Sequence, residues 1–163
     1  MLTLISPAKK LDFESETSLS VHSQPQFIEN ANTLAVSARK LSRTQLAQSM
    51  KISDNLADLN YKRFQSFKPP FDLGNAKQAA LVFNGDTYVG LQAQVFDEKD
   101  FSFAQDHLRI LSGLYGILRP LDLIQPYRLE MGARFSPPNK KDLYDFWAEQ
   151  LTDAINNELS THK

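Results

Sequence analysis

Residues 108–132 read LRILSGLYGILRPLDLIQPYRLEMG. Five strand-forming residues, 108–112, end in Ser112-Gly113 and deliver a stretch in which Tyr115, Gly116, Arg119, Asp122, Tyr127, Arg128 and Glu130 stand among apolar neighbours. A strand that empties into such a loop is how α/β proteins place ligand sites. Two readings stand side by side. In the functional one, Gly113 and Gly116 let backbone N–H groups approach an anion, Arg119 and Arg128 clamp phosphate through paired donors, and Asp122 and Glu130 orient the arginines. In the structural one, the glycines serve a tight turn, the arginines pair with Asp122 and Glu130, and the tyrosines fill the core. A Gly-x-x-Gly spacing lacks the specificity of a dinucleotide or P-loop fingerprint, so the pattern leaves both open.

Working outward, residues 2–5 form a second apolar run stopped by Ser6-Pro7, read as a buried first strand. Residues 79–83, ended by Asn84-Gly85, are read as another strand, and residues 127–131 as a further one. Helical spacing runs over 27–41; Ser42 and Ser53 are N-caps for helices over 43–51 and 54–66, and Lys68-Pro69-Pro70 ends that region. A helix over 98–107 and a long amphipathic helix over about 141–159, with Leu143, Trp147, Leu151, Ile155 and Leu159 on one face, complete the pattern. Strands alternate with helices, which predicts a mixed α/β (α+β) unit with a short, partly parallel sheet flanked by helices. No repeat or internal linker is present, so residues 1–163 are expected to form a single unit.

Composition bounds the function. With no cysteine, disulfides, thiolate zinc sites and cysteine nucleophiles are excluded; only His22, His107 and His162 remain as imidazole ligands, and they are widely scattered. Metal and cofactor sites are therefore not expected. No run approaches the roughly 20 apolar residues of a bilayer span, and the N-terminus lacks a signal-peptide pattern, so a cytoplasmic location and no membrane partner are expected. Residues 1–68 carry nine Lys/Arg against six Asp/Glu and residues 69–163 nine against thirteen. Neither half has the basic excess of a dedicated nucleic-acid binder, and any such site must be a local cleft.

Three loops follow predicted strands, at 6–10, 84–90 and 112–122, and parallel strands would gather them on one edge. Lys9 would then bring positive charge to the loop after Ser112, unless it is simply solvated. Asp86 either caps the next helix or binds a metal or substrate hydroxyl. His107 beside Asp106 reads as a general base or, more ordinarily, as a basic helix C-terminus. Trp147, with Tyr144 and Phe146, reads as core.

Four blocks, LISPAKKLDF at 4–13, FNGDTYVGL at 83–91, HLRILSGLYGILRPLDLIQPYRLEMG at 107–132 and DLYDFW at 142–147, resemble in order the signature blocks of the YaaA peroxide stress proteins. Members of that family extend past the position of Lys163, so the resemblance implies an N-terminal part of a larger YaaA-type fold. It further implies a cytoplasmic bacterial protein of the hydrogen peroxide response that lowers unincorporated intracellular iron and binds DNA in a positively charged cleft. Phosphate-binding residues on that expectation are Lys9, Ser112, Gly113, Gly116, Arg119 and Arg128, with Asp86, Tyr88, Tyr115, Asp122, Tyr127 and Glu130 lining the cleft. The family brings no catalytic assignment, and a non-enzymatic role is expected. The alternative is an enzyme acting on a nucleotide or nucleic-acid base at the same strand-end loops.

Overall fold

A computed structural model describes residues 1–161; His162, Lys163 and the end of the polar C-terminal tail lie outside the described residues. Strand β1 (Thr3–Ile5) is followed by a long extended segment and three helices, α1 (Ile28–Ala38), α2 (Arg43–Met50) and α3 (Asp54–Ser66). Both serine caps expected from sequence are in place: Ser42 Oγ accepts from Gln45 N at 3.2 Å while Gln45 Oε1 accepts from Ser42 N, and Ser53 Oγ accepts from Leu56 N at 3.4 Å. After a cis Pro69-Pro70 bond come β2 (Lys77–Gln78), α4 (Ala79–Val82), α5 (Asp86–Leu91) and a 3-10 turn, then α6 (Glu98–His107). Strands β3 (Leu108–Ser112), β4 (Gly116–Leu118) and β5 (Leu123–Ile124) precede α7 (Leu143–Trp147) and α8 (Gln150–Thr161).

The architecture is mixed α+β with short, partly parallel sheets, as the alternation of elements predicts. In the larger sheet, β3 lies between β1, which is parallel with Leu4 opposite Arg109, and β4, which is antiparallel with Leu111 opposite Ile117. A second ladder pairs β2 with β5 antiparallel. Because β1 and β3 run the same way, Ser6 and Gly113 leave the sheet at the same edge. No helix among the described residues is long and apolar enough to cross a membrane.

Four sequence expectations change. Over residues 79–83, Ala79–Val82 form one turn of helix, α4, instead of a strand, and Phe83 alone is extended, bridging to Leu11. Short apolar runs do not separate the two by periodicity, and here Ala79 N and Ala80 N donate to Asp122 O and Pro120 O, placing small side chains flat against that segment. Strand β1 is an edge strand with Thr3 and Leu4 exposed, since only β3 pairs with it among the described residues. Residues 127–131 carry no ladder. The long last helix is interrupted, with Ala148 at φ 40° between α7 and α8.

That interruption follows from how Trp147 packs. Its indole Nε1 donates to Gly113 O at 2.9 Å in the buried β3–β4 turn, and its ring meets Phe27 edge-on at 5.6 Å, joining α7 to the start of α1. The indole fits because Gly116, at φ 73°, has no side chain: a Cβ there would stand 2.8 Å from both Trp147 and Leu151. Gly113 is tighter still, since a Cβ would lie 2.2 Å from the carbonyl oxygen of Leu129. Backbone cannot yield as a flexible side chain can. Gly113→Ala is therefore expected to lower unfolding stability by about 3 kcal/mol or more, read from urea denaturation, whereas Gly132→Ala, where a Cβ meets nothing, should change it by less than about 0.5 kcal/mol.

Candidate functional site

The site is assembled where the loop after β1, the start of α5, the β3–β4 turn and the extended segment 125–131 converge. Tyr88, on α5, donates its hydroxyl to Ser6 O at 2.7 Å, and Asn84 N donates to Lys10 O at 3.0 Å. The two loops read from sequence as neighbours are thus joined, although the element before the second is a helix. Gly85 is the N-cap residue of α5 and Asp86 its first helical residue, exposed, so the expected capping role of Asp86 is not realised. From Tyr88 the rings of Phe83, Tyr127, Tyr115 and Phe67 follow one another at centroid separations of 5.3, 6.5, 5.2 and 6.2 Å. This aromatic row is buried in the core.

The hydroxyls of the row are engaged with each other and with backbone. Ser112 Oγ lies 2.7 Å from Tyr127 OH and accepts from Tyr115 N at 3.0 Å, while Tyr115 OH accepts from Gln125 N at 2.9 Å. Burial pushes the pKa of Tyr88, Tyr115 and Tyr127 above the ordinary phenol range, so all three keep their protons at neutral pH. Ser112, Gly113, Tyr115, Gly116 and Tyr127 are all buried. They shape the turn and are withdrawn from solvent.

The charged residues divide into two groups. Arg119 belongs to a closed knot around Asp122, whose side chain is 1% exposed. Asp122 Oδ1 accepts from Ser23 Oγ at 2.6 Å and from Arg119 Nε and Nη2 at 3.2 and 3.0 Å; Oδ2 accepts from Arg119 N at 2.7 Å. Arg119 Nη2 also donates to Gln24 O at 2.9 Å. For this pair the structural reading of the sequence holds: Arg119 is bonded to Asp122 through Nε and Nη2, and its side chain stays over a third exposed.

Lys9, Glu130 and Arg128 behave differently. Glu130 pairs with Lys9 at 3.3 Å, both largely exposed, instead of orienting Arg128. Such a pair contributes about 0–1 kcal/mol and opens easily. Arg128 makes no side-chain hydrogen bond or ion pair among the described residues, and its Nε is buried with no acceptor. Beside it stands Arg63 of α3, whose guanidinium is held below the usual arginine range by burial and then by the charge of Arg128. Sequence reasoning passed over Arg63. An arginine on the polar side of an amphipathic helix carries no local mark, and only the packing of segment 125–131 beside α3 brings it to the site.

Among the described residues no group of three or more His, Asp or Glu is arranged to hold a metal ion. His22 Nδ1 is 2.8 Å from Ser20 O; His107 ends α6, its ring 4.3 Å from that of Phe103. The chemistry at hand is that of two guanidiniums and an ammonium, Arg63, Arg128 and Lys9. Such a set binds anions, and above all phosphoryl groups. Compared with known protein families, residues 1–163 match the model described as peroxide stress protein YaaA.

Two outcomes are expected from the knot. Arg119→Ala leaves Asp122 buried without its counter-ion and should cost roughly 3 kcal/mol, the low end for a broken buried pair because the arginine is itself over a third exposed. Burial, outweighing its hydrogen bonds, raises the folded-state pKa of Asp122 above the unfolded value. The native state therefore holds this proton longer than the unfolded chain, and the Asp122 contribution falls as pH rises from about 4 through the raised pKa. Urea unfolding across that window should show this decline in the wild type and its removal in Asp122→Asn.

Proposed function

The chain belongs to the peroxide stress protein YaaA family, and we propose that it serves the peroxide stress response by binding DNA phosphates at the Arg128–Lys9 rim and by lowering unincorporated iron without chelating it. The observation that carries the DNA reading is Arg128, a guanidinium whose buried Nε has no partner among the described residues, whereas Arg119 is bonded to Asp122 and Gln24. Lys9, two-thirds exposed and held only by Glu130, adds a second charge that a phosphate can recruit. Contacts of this kind are to the backbone and so favour no sequence.

This placement moves the phosphate contacts relative to the sequence reading. Lys9 and Arg128 keep that role, Arg119 becomes a positioning residue, and Ser112, Gly113 and Gly116 set the turn beneath. The indirect route for iron rests on the oxygen donors themselves: Asp122 has both carboxylate oxygens accepting hydrogen bonds, and Glu130 is paired with Lys9. The same burial of Ser112 and Tyr127 gives the alternative enzymatic reading no accessible nucleophile at these residues.

Fluorescence anisotropy of duplex and bubble DNA over a salt series tests the proposal. Arg128→Ala and Lys9→Ala should each weaken binding and reduce the salt slope by about one. Unchanged binding in both would remove the site assignment. For the iron arm, chelatable iron measured by electron paramagnetic resonance in peroxide-treated cells should fall when the wild-type chain is expressed, and the purified chain should not retain ferrous iron on gel filtration.

A further inference from the structure

Arg63 and Arg128 are two guanidiniums near enough for the charge of one to act on the other, and neither is paired with a carboxylate among the described residues. Segment 125–134 is pinned at both ends: Gln125 Oε1 accepts from Lys68 N at 3.0 Å just past α3, and Arg134 N donates to Ser49 O at 2.8 Å near the end of α2. Arg128, between the pins, is thereby laid beside α3. On that helix Asn60 is wholly buried; its Nδ2 donates to Leu56 O at 2.8 Å, and its Oδ1 accepts from Arg63 Nη1 at 3.4 Å, setting the direction of the Arg63 fork. Both arginines are partly buried, and neither makes an ion pair among the described residues.

Two like charges, both partly withdrawn from water, repel and lose hydration. A surface pair of long side chains would ordinarily swing apart into solvent. Here one fork is steered by a buried amide and the other has its Nε sealed beneath the surface, so the arrangement persists without compensation from the protein. An anion with several acceptor oxygens supplies that compensation, because each planar fork donates two parallel hydrogen bonds to it. We infer that Arg63 and Arg128 form a two-arginine clamp for a single phosphoryl group. The clamp deepens the DNA reading and rests on it only for the source of the phosphate, which is a backbone phosphodiester on that reading and a free phosphate or nucleotide otherwise.

The wild-type protein itself provides the first test. In two-dimensional ¹⁵N–¹H spectra, inorganic phosphate should move the Nε–H signals of both Arg63 and Arg128, and chloride at equal ionic strength should not. Phosphate should also raise Tm, as a ligand of the native state does. Arg63→Lys keeps the charge but removes the fork, and should weaken phosphate affinity on the order of tenfold. No movement of either signal overturns the clamp whether or not DNA binds, as does Arg63→Lys binding phosphate like the wild type. If phosphate binds as described and a short duplex does not, the clamp stands as a small-anion site and the DNA reading falls. If both bind and Arg63→Lys weakens both, the phosphodiester is the source.

Discussion

The buried carboxylate of Asp122 is the constraint on which the other placements depend. Its side chain accepts from Ser23 and Arg119, its backbone carbonyl accepts from Ala79, and its amide donates to Arg119 O. Gln105, donating to Ser23 Oγ and accepting from Leu121 N, ties α6 into the same network. One ionisable group therefore holds together the long N-terminal segment, α4, α6 and the stretch between β4 and β5. A carboxylate can do this because its two oxygens accept several strong bonds at once, and burial makes each of them costly to lose. The arginine is held in the process through its Nε and Nη2.

Packing at the β3–β4 turn settles the remainder. Trp147 over Gly116, and the carbonyl of Leu129 against Gly113, bring segment 125–131 to the turn with no room for a side chain between them. The aromatic row from Tyr88 to Phe67 is filled from both sides, so the polar groups that line strand ends in ligand-binding α/β folds are here turned inward as supports. Positive charge is left at the periphery, on Lys9, Arg128 and Arg63. The formal net charge of −1 says little about any one point of the surface, because the field there depends on nearby charges within a Debye length.

Much of the framework was legible from the chain. The serines at 42 and 53, the acidic start of α6, the helices they open and the strands β1 and β3 have local causes: a hydroxyl or carboxylate that accepts an orphan N–H, and runs of strand-forming residues bounded by breakers. Residues 79–83 were misread because two alanines and two aliphatic residues suit a buried helical turn as well as a strand. The break at Ala148 was invisible because the apolar spacing on either side continues in phase. Within the central block the contacts divide: Arg119 is bonded to Asp122, Gly113 and Gly116 leave room for Leu129 and Trp147, Arg128 makes no ion pair among the described residues, and Glu130 turns to Lys9.

By itself the sequence determined the mixed α+β class, the boundaries of α2, α3 and α6, the absence of thiol chemistry and the family resemblance that the family match bears out over residues 1–163. Those properties depend on composition and on interactions within a few residues, which a linear pattern records. Only the tertiary structure decided that Arg119 is consumed by Asp122, that β1 lies at an edge, and that Arg63 stands beside Arg128 across 65 positions of chain. Whether a guanidinium is paired or free depends on which distant segment is packed next to it, and nothing in its own neighbourhood along the chain encodes that.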